Sequence, residues 1–548
     1  MASVAIIASP PRLADHLVGA LHGAASIDAC EAAPPGRLPA VEDADWLCRF
    51  DTVVYVPPLE GPHSMAPDLG AAATMFDALS RAQPAQLVVV SSAAIYGAAH
   101  QNVGLMNESS FIADRGRTIV RKWMALEHEA RRAITSATAL TVLRPAAVLD
   151  GANYLSRLLS GSLAITYPGH DPTIQLLSPV DLGGAVLAVI GRRSPGVFNV
   201  APAGGVPLRR ALRCAGATRL PIPRTAQRIA RAMLGPLGLA ASAEQLNYIQ
   251  YSWTVSGEKL RRETGFTPSR SSAAAILELK GRGSPEGLPA FDEYGMDPDY
   301  IGRHCHRRFH WLHEYYWRVE VEGLQHVPRT GGGVLVGMHR GFMPFDGVMA
   351  LYALVRRVGR IPRFLLHPSL TKFPFLADFM AKLGGIMACQ ENGDFVLQRG
   401  ELLGVFPEGI RGAFTMYKRA YTLGKFGRDE YVRMALRNRA PILPFVTVGS
   451  AEIYPIIGRL DWNWFKRYTE WPFFPVTNPV PLPTKWHTRF LSPIHVEEHY
   501  PPEAADDPAI VRTISVEVRQ RMQATIDDML LRRRSIFKGT IFDRVETL

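Results

Sequence analysis

Short apolar runs that alternate with amphipathic helical patterns are the feature that most constrains the fold of this chain. The first half repeatedly places about five apolar or β-branched residues together, as buried strands require, and follows them with helical spacing. The apolar runs are Val4–Ala8, Thr52–Val56, Leu87–Ser91 and Leu140–Arg144, and a clear helical pattern covers Arg117–Ile134. Alternation of this kind predicts an α/β fold, with a Rossmann-like, doubly wound parallel sheet.

A second α/β pattern occupies the C-terminal half. Strands are predicted at Val334–Gly337, Arg363–Leu366, Leu402–Phe406 and Ile442–Val448, and helices at Asp299–Trp317, Pro344–Val358 and Pro508–Arg534. Between the halves, residues 281–290 are rich in Gly and Pro, which is typical of a linker. The 548 residues exceed what one hydrophobic core supports. We therefore predict one domain at residues 1–280, the linker at 281–290 and a second domain at 291–548.

Charge and cysteine content narrow the classes of function. The net charge of +11 divides nearly evenly, about +5 up to residue 280 and about +6 after it, so no concentrated basic arm indicates nucleic-acid binding. A mild excess of positive charge would favour contact with an anionic membrane surface or with phosphorylated substrates. A basic surface without a specific partner explains the charge equally well. The five cysteines have no CxxC spacing, which favours a reducing cytoplasm over a disulfide framework or a zinc site.

Membrane contact, if the protein has any, is expected to be peripheral. The N-terminal apolar run is too short and lacks the flanking charge of a signal peptide. No run of about 18 apolar residues occurs, so a spanning helix is not expected. We therefore predict a cytoplasmic protein that lies on the inner face of the membrane.

Several segments of the first half resemble the extended short-chain dehydrogenase/reductase family, in particular its NAD-dependent epimerase branch, over residues 3–275. The segments that carry the resemblance are Val88–Gly97, Leu143–Gly151, Ser178–Val186, Phe198–Gly205 and Glu258–Pro268. The resemblance implies a Rossmann fold, a glycine-rich turn after the first strand that holds the cofactor pyrophosphate, and a Tyr-x-x-x-Lys pair for proton transfer.

Both functional motifs of that family depart from its pattern here. The three glycine positions are occupied by Ala8, Pro11 and Ala14. Lys122 approximates the lysine, but Thr118 or Ile119 stands where the tyrosine belongs. Because a proline removes an amide donor, we interpret the first domain as a degenerate Rossmann scaffold without a cofactor. An NAD(P)-dependent epimerase or reductase is the alternative.

Three blocks of the second half carry candidate chemistry. In the first, Leu335–Gly347, a strand leads into a loop with His339, and Pro344 is favoured at the start of a helix. A separation of seven residues places Asp346 on the side facing His339, where a carboxylate fixes the imidazole tautomer. An ordinary acidic residue in a first helical turn would give the same pattern.

The second block, Gly404–Gly412, ends a buried strand in a sharp turn. Gly409 permits an unusual backbone angle, and Arg411 offers a fork for a phosphate, although a surface turn with an ordinary salt bridge is the alternative. The third block, Arg439–Pro455, leads a buried strand into a polar turn.

Together the three blocks resemble the glycerolphosphate and lysophospholipid acyltransferase family over Phe291–Phe537. The resemblance implies that His339 is the general base and that Asp346 orients it. Separately from the resemblance, we consider backbone amides near Arg340 and Gly341 as candidate oxyanion donors. The resemblance also implies an acyl-CoA or acyl carrier protein donor, a lipid hydroxyl acceptor as in phospholipid biosynthesis, and no metal or redox cofactor. The implied substrate-binding residues are Phe406, Pro407, Glu408, Gly409 and Arg411.

The sequence departs from the family pattern at two places, and the second of them leaves the acceptor open. Six residues separate His339 from Asp346 where four are commoner, and Gln390 stands where the second motif of the family has a cation. A neutral hydroxyl acceptor therefore stays possible beside a phosphate-bearing one. A non-catalytic lipid-binding scaffold is a further hypothesis.

The segment Asp461–Pro475 concentrates aromatic residues around Lys466 and Arg467. Aromatic side chains beside cations are typical of a membrane interface. We predict that Trp462, Trp464 and Trp471 contact the membrane surface. A packed lid or docking surface is the alternative.

Overall fold

The computed structural model describes residues 2–33, 44–61, 64–102, 104–112, 116–226, 241–281, 291–373, 375–427 and 429–542. The chain forms two compact units, residues 1–296 and 297–548. Apart from residue 281, the predicted linker 281–290 lies outside the described residues. Residues 291–296 belong to the first unit, where the Thr173 hydroxyl donates to the Tyr294 carbonyl at 3.1 Å and the Gly205 amide to the Asp292 carbonyl at 3.2 Å.

The first unit is built on a six-stranded parallel sheet, which confirms the predicted fold class. Its strands are β1 (Ala2–Ala8), β2 (Ile27–Ala32), β3 (Thr52–Val56), β4 (Gln86–Val90), β5 (Ala139–Pro145) and β6 (Gly196–Val200). Their spatial order is β6-β5-β4-β3-β1-β2, so the direction of winding reverses between β1 and β3. Ligands of such sheets bind outside the carboxyl ends of the strands at this reversal.

Helices cover both faces of this sheet. On one face α1 (Pro11–Leu21) and α4 (Pro179–Arg192) bury their apolar residues, and on the other α2 (Leu69–Ala82) and α3 (Thr118–Arg132) do so. Shorter helices of this unit are Ala44–Leu47, Tyr154–Ser160, Leu208–Ala215, Ala243–Asn247, Glu258–Thr264 and Ser272–Leu279. Short strand pairs are Ala147–Val148 with Leu176–Leu177, Leu163–Thr166 with Thr218–Pro221, and Thr173–Ile174 with Val206–Pro207.

The second unit contains a seven-stranded mixed sheet, in agreement with the predicted second α/β region. Its strands are β7 (Glu320–Glu322), β8 (Gly333–Gly337), β9 (Pro362–Leu366), β10 (Ile386–Met387), β11 (Leu402–Val405), β12 (Ile442–Val448) and β13 (His487–Phe490). Their order is β7-β13-β12-β8-β11-β9-β10, and the pairing of β12 with β13 is antiparallel. A separate hairpin joins Gly458–Leu460 to Phe474–Val476.

The helices of the second unit include α5 (Pro298–His306), α6 (Phe345–Ala353), α7 (Gln390–Gln398), α8 (Ile410–Ala413), α9 (Glu430–Arg437), α10 (Asn463–Thr469) and α11 (Pro508–Arg532). Arg308–Trp311, Leu376–Lys382 and Val496–His499 are short helices, and Leu312–Tyr316 and Leu354–Val358 are π-helical turns. No helix among the described residues is long and apolar enough to cross a bilayer.

Parallel pairing of β8 with β11 positions the candidate site. Val336 lies opposite Val405, so the two strands end at the same edge of the sheet. The loop with His339 follows β8, and the loop that begins at Phe406 follows β11. The topology therefore brings the first and second sequence blocks together.

Candidate functional site

His339 and Asp346 form a hydrogen-bonded pair at the carboxyl edge of the sheet. Nδ1 of His339 lies 3.1 Å from Oδ2 of Asp346, which is buried completely, while the histidine side chain keeps 15% of its surface exposed. The same carboxylate oxygen accepts the Arg340 amide at 2.8 Å. That amide, a candidate oxyanion donor from sequence, is therefore engaged within the loop. Asp346 holds both the ring and the backbone that follows it, and Nε2 is the ring nitrogen left for a substrate.

The loop after His339 has a backbone that its surroundings hold in place. Gly341 and Phe342 both have positive φ angles, +74° and +64°. A Cβ on Gly341 would lie 2.5 Å from the Ser450 carbonyl oxygen, which explains the glycine. A positive φ is strained for phenylalanine. The Phe342 amide donates to the Ala413 carbonyl at 3.2 Å, and this contact links the loop to the helix Ile410–Ala413 at the end of the second block.

The side chain of Arg340 lies in the interior beneath the site. It is 1% exposed and forms a two-point ion pair with Glu408, Nη1 to Oε2 at 2.7 Å and Nη2 to Oε1 at 3.1 Å. Its remaining donors reach backbone carbonyls of His339, Gly412, Ala420 and Thr422. Arg340 therefore ties the histidine loop to the Glu408 turn, a role that sequence reasoning missed. The sequence signal for this role was the presence of opposite charges, Arg340 in the first block and Glu408 in the second.

Glu408, predicted to bind substrate, has both carboxylate oxygens engaged inside the protein. Oε1 also accepts the Gly424 amide at 2.7 Å. Phe406, by contrast, faces the histidine, with ring centroids 5.2 Å apart, and stacks on Phe364 at 5.5 Å. Pro407, the next residue, is half-buried.

The end of the second block is open to solvent. Gly409 has φ +57° and ψ −148°, a combination that side-chain-bearing residues avoid, and it turns the chain into α8. Arg411 on α8 is exposed, and so are Lys418, Arg419 and Lys425. Among the described residues none of these four side chains forms an ion pair, so they make a basic rim available to an anion.

The third block fixes the far side of the loop. The Tyr421 hydroxyl donates to Glu452 and accepts the Gly449 amide at 2.8 Å, and Arg533 pairs with the same glutamate. Burial raises the pKa of Tyr421 well above its ordinary value. This buried network holds the turn that packs against Gly341.

The aromatic segment divides into an exposed and a packed part. Trp462 and Trp464 are 56% and 67% exposed. Trp471 instead packs against Phe342, with ring centroids 5.2 Å apart, and against Phe373 at 4.9 Å. The packing of Trp471 matches the alternative prediction of a packed lid. Trp462 and Trp464 are exposed and can contact another surface. We refer to the exposed part, with Ile457 and Leu460, as the aromatic hairpin.

In the first unit, the residues at the epimerase motif positions have structural contacts. Lys122 forms an ion pair with Glu60. The Thr118 and Ile119 amides donate to the Glu244 carboxylate at 3.0 and 2.9 Å, so the position of the missing tyrosine serves as a helix start. These contacts contain no acid–base pair of the kind the family uses.

Comparison with known proteins identifies the second unit. Residues 318–448 match the Acyltransferase family model. An uncharacterized protein of Mycobacterium leprae is 32% identical over 325 residues, covering 56% of this chain and 88% of that protein. An uncharacterized protein of Mycobacterium tuberculosis is 33% identical over 318 residues, covering 55% and 87%. The chloroplastic phytyl ester synthase 1 of Arabidopsis thaliana is 31% identical over 149 residues, covering 26% and 21%.

Solved epimerase-type structures align with about half of the chain. The UDP-N-acetylglucosamine 4-epimerase from Bacillus cereus covers 51% of this chain and 98% of its own, at 12% identity and a TM-score of 0.37. A human epimerase family protein with NADPH covers 51% and 99%, at 16% identity and a TM-score of 0.39. The extensive matches to the mycobacterial proteins decide the assignment: the chain belongs to the family of these proteins, and its second unit carries an acyltransferase domain.

Proposed function

We propose that the second unit transfers a fatty acyl group from a thioester to the hydroxyl group of a lipid acceptor, with His339 as general base. The observation that carries this proposal is the hydrogen bond between His339 Nδ1 and the buried Asp346 carboxylate, within an acyltransferase-family domain. The carboxylate fixes the proton on Nδ1 and leaves Nε2 as acceptor.

The reaction needs one proton acceptor and no covalent acyl-enzyme. Nε2 of His339 takes the proton of the acceptor hydroxyl while the hydroxyl oxygen forms a bond to the thioester carbonyl carbon. The tetrahedral intermediate then expels the thiolate, which receives the proton from the imidazolium. Asp346 stabilises that imidazolium. General base catalysis of this kind contributes about 10²–10⁴-fold. We propose that this route uses no metal or redox cofactor.

The basic rim is the proposed binding surface for the polar part of the substrates. Gly409 and Arg411 lie at the turn beside the histidine loop, and Lys418, Arg419 and Lys425 continue the exposed positive surface. An acceptor phosphate would pair with the Arg411 fork. The phosphates of acyl-CoA or of an acyl carrier protein could form ion pairs with Lys418 and Lys425 equally well. Phe406 and Pro407 form the apolar wall next to His339, and Glu408 acts through Arg340 to hold the turn.

The aromatic hairpin supports a peripheral membrane location. Two exposed tryptophans and two exposed aliphatic residues lie in the same segment as Lys466 and Arg467, and this combination of residues is typical of segments that insert into a lipid headgroup layer. We propose that Trp462 and Trp464 contact the inner face of the cytoplasmic membrane, where a lipid acceptor resides. Trp471 joins the hairpin to the histidine loop by packing.

The test of the proposal is thiol release from purified protein. Palmitoyl-CoA and palmitoyl carrier protein are offered as donors with glycerol 3-phosphate, lysophosphatidic acid, monoacylglycerol or hexadecanol as acceptor. Acceptor-dependent thiol release together with a matching ester product is the expected result. Folded protein that is silent with every pair would reject the proposal.

A further inference from the structure

The first unit has a partly open cavity of about 360 Å³ at the winding reversal of its sheet. Its walls come from the ends of β1, β3 and β4, from α3 and from the segment after β5, where Rossmann folds hold their ligands. The cavity volume falls in the range of small-molecule sites.

The turn after β1 is poorly suited to a pyrophosphate. Pro10 and Pro11 have no amide hydrogen, and the Ser9 amide donates to the Val56 carbonyl at 3.3 Å. The Leu13 and Ala14 amides both donate to the Pro10 carbonyl, at 3.0 and 3.4 Å. Within this described segment, Arg12 alone keeps an amide without an acceptor in the protein. A dinucleotide needs several such donors at the helix N-terminus, so NAD(P) does not fit.

The Ser91 hydroxyl, which lines the cavity, is engaged within the protein. The Ser91 hydroxyl donates to Glu127 at 2.8 Å, and Glu127 forms a buried two-point pair with Arg144. Arg144 Nη1 also donates to the Tyr96 hydroxyl at 2.9 Å, so Ser91 belongs to a buried network whose charged members do not line the cavity.

The remaining walls are mainly apolar, with one polar corner. Trp123, Trp253 and Met65 form the apolar part. At the corner, Asp150 Oδ1 accepts the Ala152 amide at 2.9 Å and the Asn153 side-chain amide at 3.1 Å. Burial raises the pKa of Asp150, which favours its neutral form. Among the described lining residues, the exposed Arg157 is the single basic side chain.

We propose that this cavity binds an uncharged amphiphile, an apolar chain or ring with a hydroxyl head group, in place of a dinucleotide. The chain lies against the two tryptophans, and the hydroxyl hydrogen-bonds at the Asp150 corner. The site is separate from the acyltransferase chemistry, and the inference does not depend on it.

A photoreactive diazirine analogue of 1-decanol tests the inference on the full-length protein. After irradiation, peptide mapping should place label on peptides that contain Met65 or residues 145–157, and excess 1-decanol should remove it. NADH and NADPH at the same excess should leave the labelling unchanged. Label confined to residues 297–548, an absence of label, or displacement by NADH or NADPH would overturn the inference.

A pair of matched variants checks the location. Ala152→Leu places a larger side chain in the cavity and should lower labelling of these peptides at least fivefold. Ala137→Leu makes the same change at an exposed turn outside the cavity and should label as the natural protein does. Equal labelling of both variants would contradict the site. The nucleotide competition decides the ligand class even if Ala152→Leu folds poorly.

Discussion

Arg340 and Glu408 form a two-point ion pair inside the second unit, with nitrogen–oxygen distances of 2.7 and 3.1 Å, and so join the two loops of the candidate site. Both side chains are almost fully buried. A buried charge that loses its partner is costly, whereas the intact pair contributes mainly by holding a particular geometry.

Glu408→Gln should lower the free energy of unfolding of the second unit by about 3–5 kcal/mol, because Arg340 would keep a buried, unpaired charge. Denaturant unfolding measures this loss. Glu503→Gln, at an exposed position, is the matched control and should change stability by less than about 0.5 kcal/mol. A Glu408→Gln protein as stable as the control would show that the ion pair does not form.

Arg411→Ala should separate phosphate-bearing from neutral acceptors. Losing a charge-assisted hydrogen bond to phosphate costs about 1.5–3 kcal/mol, so KM for glycerol 3-phosphate should rise about tenfold or more, with monoacylglycerol unaffected. Steady-state kinetics with both acceptors measure the difference. Arg521→Ala, on the exposed side of α11, serves as the control. Equal changes for both acceptors would remove Arg411 from phosphate recognition.

Replacing both exposed tryptophans of the aromatic hairpin should release the protein from membranes. Trp462→Ala with Trp464→Ala removes the apolar contact area, and co-sedimentation with vesicles of anionic phospholipid should fall by at least about tenfold while the melting temperature stays unchanged. Trp471→Ala should instead lower stability, since its ring packs against Phe342 and Phe373. Full vesicle binding by the double variant would exclude the hairpin as the contact.

The stability of the second unit should fall in mild acid because of His487. Burial lowers the pKa of this histidine from 6.5 to about 4, against the opposing attraction of Glu320. The unfolded chain therefore binds the proton first, and stability is lost as pH falls from about 6.5 towards 4. Urea unfolding across this range measures the slope. The His487→Gln variant should show a shallower slope, and an identical slope would assign the acid sensitivity to other groups.

Sequence patterns predicted the elements whose residues are uniformly apolar. Thr52–Val56 and Ile442–Val448 form strands with the predicted bounds, since strands in the interior of a sheet that is covered on both sides are buried on both faces. The edge strand Ile27–Ala32 went unpredicted because it is largely exposed and lacks an apolar run. The predicted helix Asp299–Trp317 is interrupted at Arg307, where nothing in the apolar spacing marks a break.

The pairing of His339 with Asp346 could be expected from their spacing, but the role of Glu408 could not. Glu408 follows β11, and its partner Arg340 follows the neighbouring strand β8. A contact between residues that are 68 positions apart depends on which strands are neighbours. The contact of Trp471 with Phe342 could not be predicted from the sequence for the same reason, because the two residues are far apart along the chain. Local spacing therefore predicted the dyad, whereas the groups that hold it depend on the sheet order.

The most direct test of the account is the kcat of His339→Ala with the best donor and acceptor pair. We predict a fall of about 10²–10⁴-fold with unchanged folding, because the proton acceptor is lost. The kcat of Asp346→Asn should fall by a similar factor, since asparagine no longer fixes the tautomer of the His339 imidazole. His306→Ala, at an exposed position, should keep full activity. A folded His339→Ala protein that transfers acyl groups at the natural rate would contradict the central claim.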